Sequence, residues 1–454
     1  MAYIAPFRAL RYNPRRVDLS QVVTQPYDKI TPEMQERYYA ASPFNLVRII
    51  LGKRETTDHA NDNPYSRAAR FLTDWRHEGV LLQDEQPSIY SYIQHFTTPA
   101  GSSAKERRGF IALGKVEDYS AKVVFRHEET LAKPKADRLE LLRATRAHFG
   151  QLFMLYSDPS AEVDGLLPSP TVADIDVQDE YGVRHLVRKV SDPSLIERVR
   201  LKMRDKQLLI ADGHHRYETA LNYRNERRAQ AAPSLEASGL QQVSRSDPQR
   251  QASTEIAPSE LVMMTFTNMD SPGLVILPTH RVVHGLAEFS PDSLHDRARQ
   301  YFSVEEVDPS IDPVRAVGIL REAGHSGTSL LAVTAGRAFL FDTAKTIGSS
   351  FFGNLSLRQQ ALDVVQLHKC LLEGVLGISE EAIREQRNIS YIREAGEAMA
   401  RVRQGKADVA FLMNPVKMRD VRDIAFAGEV LPQKSTDFYP KLLSGLTIYP
   451  LDPM

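Results

Sequence analysis

The chain of 454 residues holds one cysteine, Cys370, so it can form no intramolecular disulfide and no four-thiolate zinc site. It also lacks a charge excess: 57 Lys and Arg stand against 58 Asp and Glu, a formal net charge of -1. A protein whose work is to neutralise a phosphate backbone usually shows a clear basic surplus, so nucleic acid is not the expected partner. No apolar run is long enough without charge to span a bilayer, and the opening "MAYIAPFRALRYNPRRVDLS" lacks the uninterrupted apolar core of a signal peptide. The expectation is a cytoplasmic protein with no membrane partner. No internal repeat is visible. What remains is ordinary for a globular chain, with 42% hydrophobic and 25% charged residues and a length for about two or three domains.

Local patterns place an α/β arrangement on this length. "PEMQERYYAASP" predicts a helix from Pro32 to before Pro43, "FNLVRIILG" a buried strand, "YSRAARFLTDWRHEGVL" a helix, and "PSIYSYIQHF" with "RRGFIALGKVE" a hairpin. "TVADIDVQDEYGVRHLVRKV" reads as two more strands, and the helix downstream of Glu128 is expected to start near Ala136 or Asp137. Residues 227–260 are poor in large apolar side chains and rich in Ser, Ala, Gln and Pro, which predicts a mobile insertion within a domain. The next strand, "LVMMTF", is apolar enough to share a sheet with "QLLIAD". Beyond residue 290 a second α/β unit is expected, including one long amphipathic helix over "SLRQQALDVVQLHKCLLEGVLG" that ends at Gly377. The expected division is 1–290 and 291–454.

The stretch "QLLIADGHHRYETAL" carries the most specific chemistry. Gly213 lets the backbone turn without a Cβ, and the helix that follows points its first free N–H groups and positive dipole end at the turn. Arg216 adds a fork suited to phosphate or carboxylate oxygens, and His214 and His215 can donate hydrogen bonds or exchange protons. Asp212 stands at the carboxyl end of a strand, where α/β proteins usually place a ligand. Adjacent histidines diverge on one turn, so zinc is disfavoured; magnesium held chiefly through nucleotide phosphates, with Asp212 as a carboxylate ligand, is easier to accommodate.

Four other clusters are candidates. "RHEETLAKPKADR" combines Glu128, a candidate base, with Lys133, Lys135 and Arg138, cations suited to phosphates; a solvated charged loop is the alternative. "VVTQPYDKI" offers Tyr27 and Asp28 for a substrate or a local turn. "LPTHR" offers His280 and Arg281. "LPQKSTDFYPKLLSGL" offers Lys434 and Ser435, with Lys441 further along; that loop could close over a site or tie down the end of the chain.

These motifs, with "PFRALRYNP", "SPFNLVRIILG" and "AFLMNP", resemble the family catalogued as domain of unknown function 1015, from residue 6 to residue 449. The Asp-Gly-His-His-Arg core is also similar to the helix-starting motif of the ParB and sulfiredoxin superfamily, which includes free serine kinases. That resemblance implies a ParB/sulfiredoxin-like nucleotide-binding core followed by the C-terminal α/β unit. It implies ATP or ADP with Mg²⁺ as cofactors, and phosphate contacts from Gly213 and Arg216, with His214 or His215 on the same phosphates. Glu128 would be the analogue of the kinase's glutamate, with His215 as the other candidate base. His214 stands where sulfiredoxins have cysteine, so sulfinic acid reduction is not expected. The implied activity is phosphoryl transfer between a nucleotide and a small hydroxylated metabolite, serine or phosphoserine first. Hydrolysis of a phosphorylated metabolite, and nucleotide binding without turnover, stay open, as does assembly into a homodimer.

Overall fold

Alternating apolar residues make β1 (Ile89–Thr97) and β2 (Ala104–Lys115) the hairpin their pattern predicts, with Tyr90 opposite Ile111 and Thr97 opposite Ala104. The structure is a computed structural model that describes residues 1–99, 101, 103–128, 132–169, 172–237 and 256–452. The hairpin lies in a nine-stranded mixed sheet with β3 (Leu152–Tyr156), β4 (Arg184–Val190), β5 (Leu208–Asp212) and β6 (Leu261–Asn268). The strand order is Val124–Phe125, β5, β3, β6, β2, β1, β4, Ile175–Gln178, and Ile4–Ala5 adds along β2. β5 and β6 share this sheet as expected, with β3 between them, antiparallel to β5 and parallel to β6.

Two compact units divide the chain. The first comprises Met1–Arg126, Thr130–Leu274 and Pro440–Met454; the second comprises His127–Glu129 and Val275–Tyr439. The boundary expected at 290 therefore falls inside the second unit, because His280–Val283 is a strand of that unit's own six-stranded sheet. Residues 440–454 return to the first unit through backbone pairing: Ser444 exchanges hydrogen bonds with Thr24 at 2.9 and 3.1 Å, and Ile448 with Leu10 at 2.9 Å.

The first unit has two apolar cores. Ile4, Ile89, Phe110, Leu152, Met154, Ile210, Tyr217, Val262 and Phe266 fill the core on the large sheet. Leu10, Tyr12, Leu46, Ile50, Leu72, Trp75, Phe149 and Ile448 fill the other, beneath the helix Pro64–His77. Asn63 and Ser66 close a capping box at that helix's start. Two long helices pack in this unit, α1 (Ala132–Thr145) and α2 (His214–Ala237), joined by the ion pairs Lys135–Glu218 at 2.7 Å and Arg143–Glu226 at 2.5 Å. The second unit's sheet runs Ser303–Val307, Ala338–Asp342, Ser329–Val333, Val409–Met413, His280–Val283, Ile389–Ile392, and is antiparallel throughout.

Several local expectations are corrected. "FNLVRIILG" holds a short helix, Val47–Ile50, and no strand; just before it Asn45 Oδ1 accepts from the Val47 N–H at 2.9 Å, and a brief apolar run does not by itself distinguish the two. α1 starts at Ala132, earlier than residue 136. Residues 227–237 continue α2 as helix, while 238–255, the greater part of the expected insertion, lie outside the described residues. The single long helix expected to end at Gly377 is three pieces: Leu357–Gln360, Asp363–Gln366 and a π-helical stretch Leu367–Val375. No helix among the described residues is long and apolar enough to cross a membrane.

Candidate active site

The strand β5 has an irregular register between Ile210 and Asp212, and its last pair, Asp212 with Phe153, stands just before Gly213. Gly213 has φ +98°, outside the range an L side chain adopts comfortably, and its carbonyl accepts the first α2 hydrogen bond from Tyr217 N–H at 2.9 Å. One turn on, Arg216 folds back over the glycine. Its Nη2 donates to Asp212 Oδ2 at 2.8 Å and its Nη1 to the Gln151 carbonyl at 2.6 Å.

Two glycines make room for this guanidinium. A Cβ on Gly213 would lie 3.1 Å from Arg216 Nη2 and 3.0 Å from Leu152 Cδ2, and a Cβ on Gly150 would lie 3.0 Å from Arg216 Nη1. The fork is therefore wedged between the β3 entry and the β5 exit. Its orientation is set before any ligand arrives.

Asp212 gathers cations. Burial pushes its pKa up, but Lys441, Arg216 and Lys29 oppose that and hold the carboxyl well below the usual carboxylate range; Lys441 Nζ also donates to Asp212 Oδ1 at 3.3 Å. Arg107, 2% exposed, is close enough to feel the same carboxylate. A folded-state pKa below the ordinary 3.8 means that Asp212 stabilises the fold above that value and loses its contribution as pH falls through the lower, folded one. Asp212→Asn should cost about 2 kcal/mol at pH 7. In urea melts that gap between variant and wild type should close in strong acid; a gap independent of pH would show that the carboxylate is not held by charge.

Arg216 lines a cavity whose empty space, open solvent included, is about 590 Å³. It lies where the two cores of the first unit meet: Ile50, Leu141, Ala147 and Phe149 come from one, Leu152 and Val262 from the other. Tyr27, Arg138, His148, Thr219 and Ser444 supply the polar wall. Arg138 lies over the Tyr27 ring at 4.2 Å and donates to the Ile50 carbonyl at 2.6 Å, so its charge is fixed beside the opening. Burial pushes the His148 imidazole down to about 4, which leaves it neutral at pH 7. Its unfolded form takes a proton from about pH 6.5 downward while the folded form resists, so stability is lost as pH falls across that interval. His148→Gln should lose less stability than the wild type between pH 6.5 and 4 in thermal melts; an equal loss would mean that His148 is not the group responsible.

The residues read from sequence separate into two sets. Asp212, Gly213, His214, His215, Arg216, Tyr27, Asp28, Lys135 and Arg138 belong to the first unit, and Arg216, Tyr27 and Arg138 share the cavity wall. Lys135 is turned to Glu218 at 2.7 Å, and Asp28 is exposed on a 3-10 turn. The Lys133 side chain lies outside the described residues. Glu128, His280, Arg281, Lys434 and Ser435 belong to the second unit. There Glu128 bridges to Leu431, and His280 Nδ1 accepts from the Met413 N–H at 3.3 Å. Burial pushes the His280 imidazole down to about 4, which leaves it neutral at pH 7. Arg281 is fully buried against the Tyr391 ring and donates to the Lys434 carbonyl at 3.2 Å, while Ser435 Oγ donates to the Pro432 carbonyl at 2.5 Å; these bonds serve the second unit's own packing. Sequence reading missed Lys29, Arg107 and Gln151, whereas Lys441 stands in the "LPQKSTDFYPKLLSGL" loop that it offered as a candidate. A charged residue at an inward position of a strand, as Arg107 is in "RRGFIAL", was the available signal.

Fold and site together define a mixed α/β protein with a cation cluster at a glycine turn, one member of which, Arg216, lines a cavity. The chain belongs to the family described as Protein of unknown function (DUF1015), whose model matches residues 4–365. No curated protein matches it. Among solved structures it is similar to a conserved hypothetical protein from Pyrococcus furiosus, at 12% identity and a TM-score of 0.32 over 70% of this chain and 87% of that one. It is also similar to a free serine kinase in complex with AMP, at 12% identity and 0.32 over 70% and 83% of the two chains. A third is SbnI from Staphylococcus aureus with a C-terminal truncation, at 11% identity and 0.33 over 75% and 87%.

Proposed function

We propose that the protein is a nucleotide-dependent phosphotransferase acting on a small hydroxylated metabolite, with L-serine or phosphoserine the first candidate and ATP or ADP as its nucleotide. The observation that carries this reading is the wedged Arg216 fork beside the Gly213 turn, on the wall of a cavity that also presents Arg138. Phosphoryl transfer needs little covalent help from a protein and much charge placed in advance, which is what rigid cations around a turn supply. In this reading the Gly213 turn, His214, Arg216 and Arg138 hold phosphate oxygens, and His215, in the same unit and on the same helix start, takes the hydroxyl proton. The choice of serine rests on the motif similarity stated above and on nothing in the cavity.

The donor set does not fit a resident magnesium ion. Asp212 gives one oxygen to Arg216 and the other to Lys441, and among the described residues no group of three or more His, Cys, Asp or Glu side chains could hold a metal. Magnesium in such a site would come with the nucleotide's phosphates, and no step is assigned to it.

The test is phosphorus NMR on the purified protein with Mg²⁺, ATP or ADP in turn, and L-serine. A new phosphomonoester resonance is expected. If nucleotide stays intact, the serine assignment falls, and addition of phosphoserine then separates a phosphatase, which releases free phosphate, from a protein that only binds.

A further inference from the structure

Behind the cation cluster runs a chain of buried polar groups that the proposed chemistry does not use. His185, with no exposed surface, sits on β4 and makes contacts with both ring nitrogens. Nε2 lies 3.2 Å from Asp179 Oδ2; Nδ1 lies 2.7 Å from Tyr92 Oη and 3.3 Å from Gln94 Nε2. Gln94 is equally buried, and each end of its amide is committed: Nε2 donates to the Lys441 carbonyl at 2.9 Å, and Oε1 accepts from Arg107 Nε at 2.9 Å. Arg107 Nη2 reaches the Pro440 carbonyl at 2.5 Å. At the other end Asp179 Oδ2 accepts from Gln25 Nε2 at 3.1 Å, three positions before Asp28 and four before Lys29.

Three of the four cations around Asp212 thus trace back to one imidazole. We propose that His185 is the positioning residue of the site: as the neutral Nε2–H tautomer it orients the Gln94 amide, which places Arg107 and the backbone of Lys441, while Asp179 ties in the segment that carries Lys29. The tautomer follows from donor counting. Asp179 accepts only, so Nε2 carries the proton; Nδ1 then accepts, its one lone pair shared by the Tyr92 hydroxyl at 2.7 Å and the Gln94 amide at 3.3 Å, whose other N–H goes to the Lys441 carbonyl. A proton on Nδ1 would oppose the Gln94 N–H and turn the amide away from both cations. The groups that face His185 are Asp179 and Glu180 from the turn before β4, Tyr92 from β1 and Arg107 from β2; burial is the largest influence and keeps the ring neutral, with Asp179 acting in the opposite sense.

This inference deepens the proposed function and rests on it for its ligand, so the test has two arms. The first needs no ligand: a double-mutant cycle of Asp212→Asn and Lys441→Met, read by urea unfolding, measures their coupling in the wild type and in two His185 variants. His185→Asn keeps an acceptor at the Nδ1 position and should keep the coupling; His185→Gln keeps only the Nε2 donor and should lose it. The second arm is titration calorimetry with ADP and Mg²⁺. His185→Gln should weaken binding about tenfold at pH 8, and His185→Asn should bind there as the wild type. A role in packing alone would lower the melting temperature of both variants with coupling and affinity unchanged, and would overturn the proposal. Coupling that is lost in His185→Gln while the wild type fails to bind ADP would keep the positioning role and remove the nucleotide reading. If His185→Gln does not fold, the ring's ¹⁵N shifts in the wild type decide: a protonated Nδ1 at neutral pH sinks the idea, and an unprotonated one upholds it.

Discussion

Arg216→Ala should abolish phosphomonoester formation and weaken nucleotide binding by about a hundredfold, a loss of roughly two charge-assisted hydrogen bonds. The effect is large because the guanidinium acts in three places. It neutralises Asp212 through Nη2, satisfies the Gln151 carbonyl through Nη1, and forms part of the cavity wall. Removing it leaves a half-buried carboxylate to Lys441 and Lys29 and a carbonyl without its donor. Arg216→Lys should recover little, since a single ammonium cannot reach both oxygens from one position. Calorimetry with ADP and the phosphorus assay check both variants; turnover and affinity equal to wild type in Arg216→Ala would end the phosphotransferase reading.

Gly213→Ala should destabilise the first unit by about 2 kcal/mol and disable the site at the same time, because two costs fall on one methyl group. The backbone at φ +98° disfavours any side chain, and the added Cβ meets Leu152 Cδ2 at 3.0 Å and the Arg216 guanidinium at 3.1 Å. Leu152 is fully buried and cannot retreat, so Arg216 must yield. Gly150→Ala separates the two costs: it presses on Arg216 Nη1 at 3.0 Å without the left-handed backbone. It should lose ADP affinity while keeping most of its stability, as chemical denaturation and calorimetry on the same samples would show. Equal stability loss in both variants would mean that crowding, and not backbone conformation, governs the turn.

Much of this protein was legible in one dimension. The strand, the glycine and the helix of "QLLIADGHHRYETAL" are local events, set by a run of buried apolar residues, one position free of Cβ and the 3.6-residue period after it. The same holds for the β1–β2 hairpin and for the helix Pro64–His77 with its Asn63 cap. Reading failed where local preference was balanced. Leu46 to Leu51 is short and apolar, a pattern that strand and helix share until packing chooses. Residues 357–375 carry a helical period but break once, after Gln360, and turn π-helical from Leu367; the Gln359 and Gln366 side-chain amides donate to the Val430 and Gln360 carbonyls there.

The amino-acid sequence alone determined that an acid, a glycine and an arginine stand together at a strand-to-helix turn, since a buried apolar run, a residue free of Cβ and a helical period follow one another there. Tertiary structure decided what that meeting can do. Lys441 reaches Asp212 from 229 positions away, Gln151 and Gly150 shape the seat of the fork, and Arg107 and His185 enter from strands whose pattern announces only burial. Hydrophobic periodicity states which face of an element turns inward, but not which inward residues will touch. That follows from strand order and register, which only the closed sheet defines.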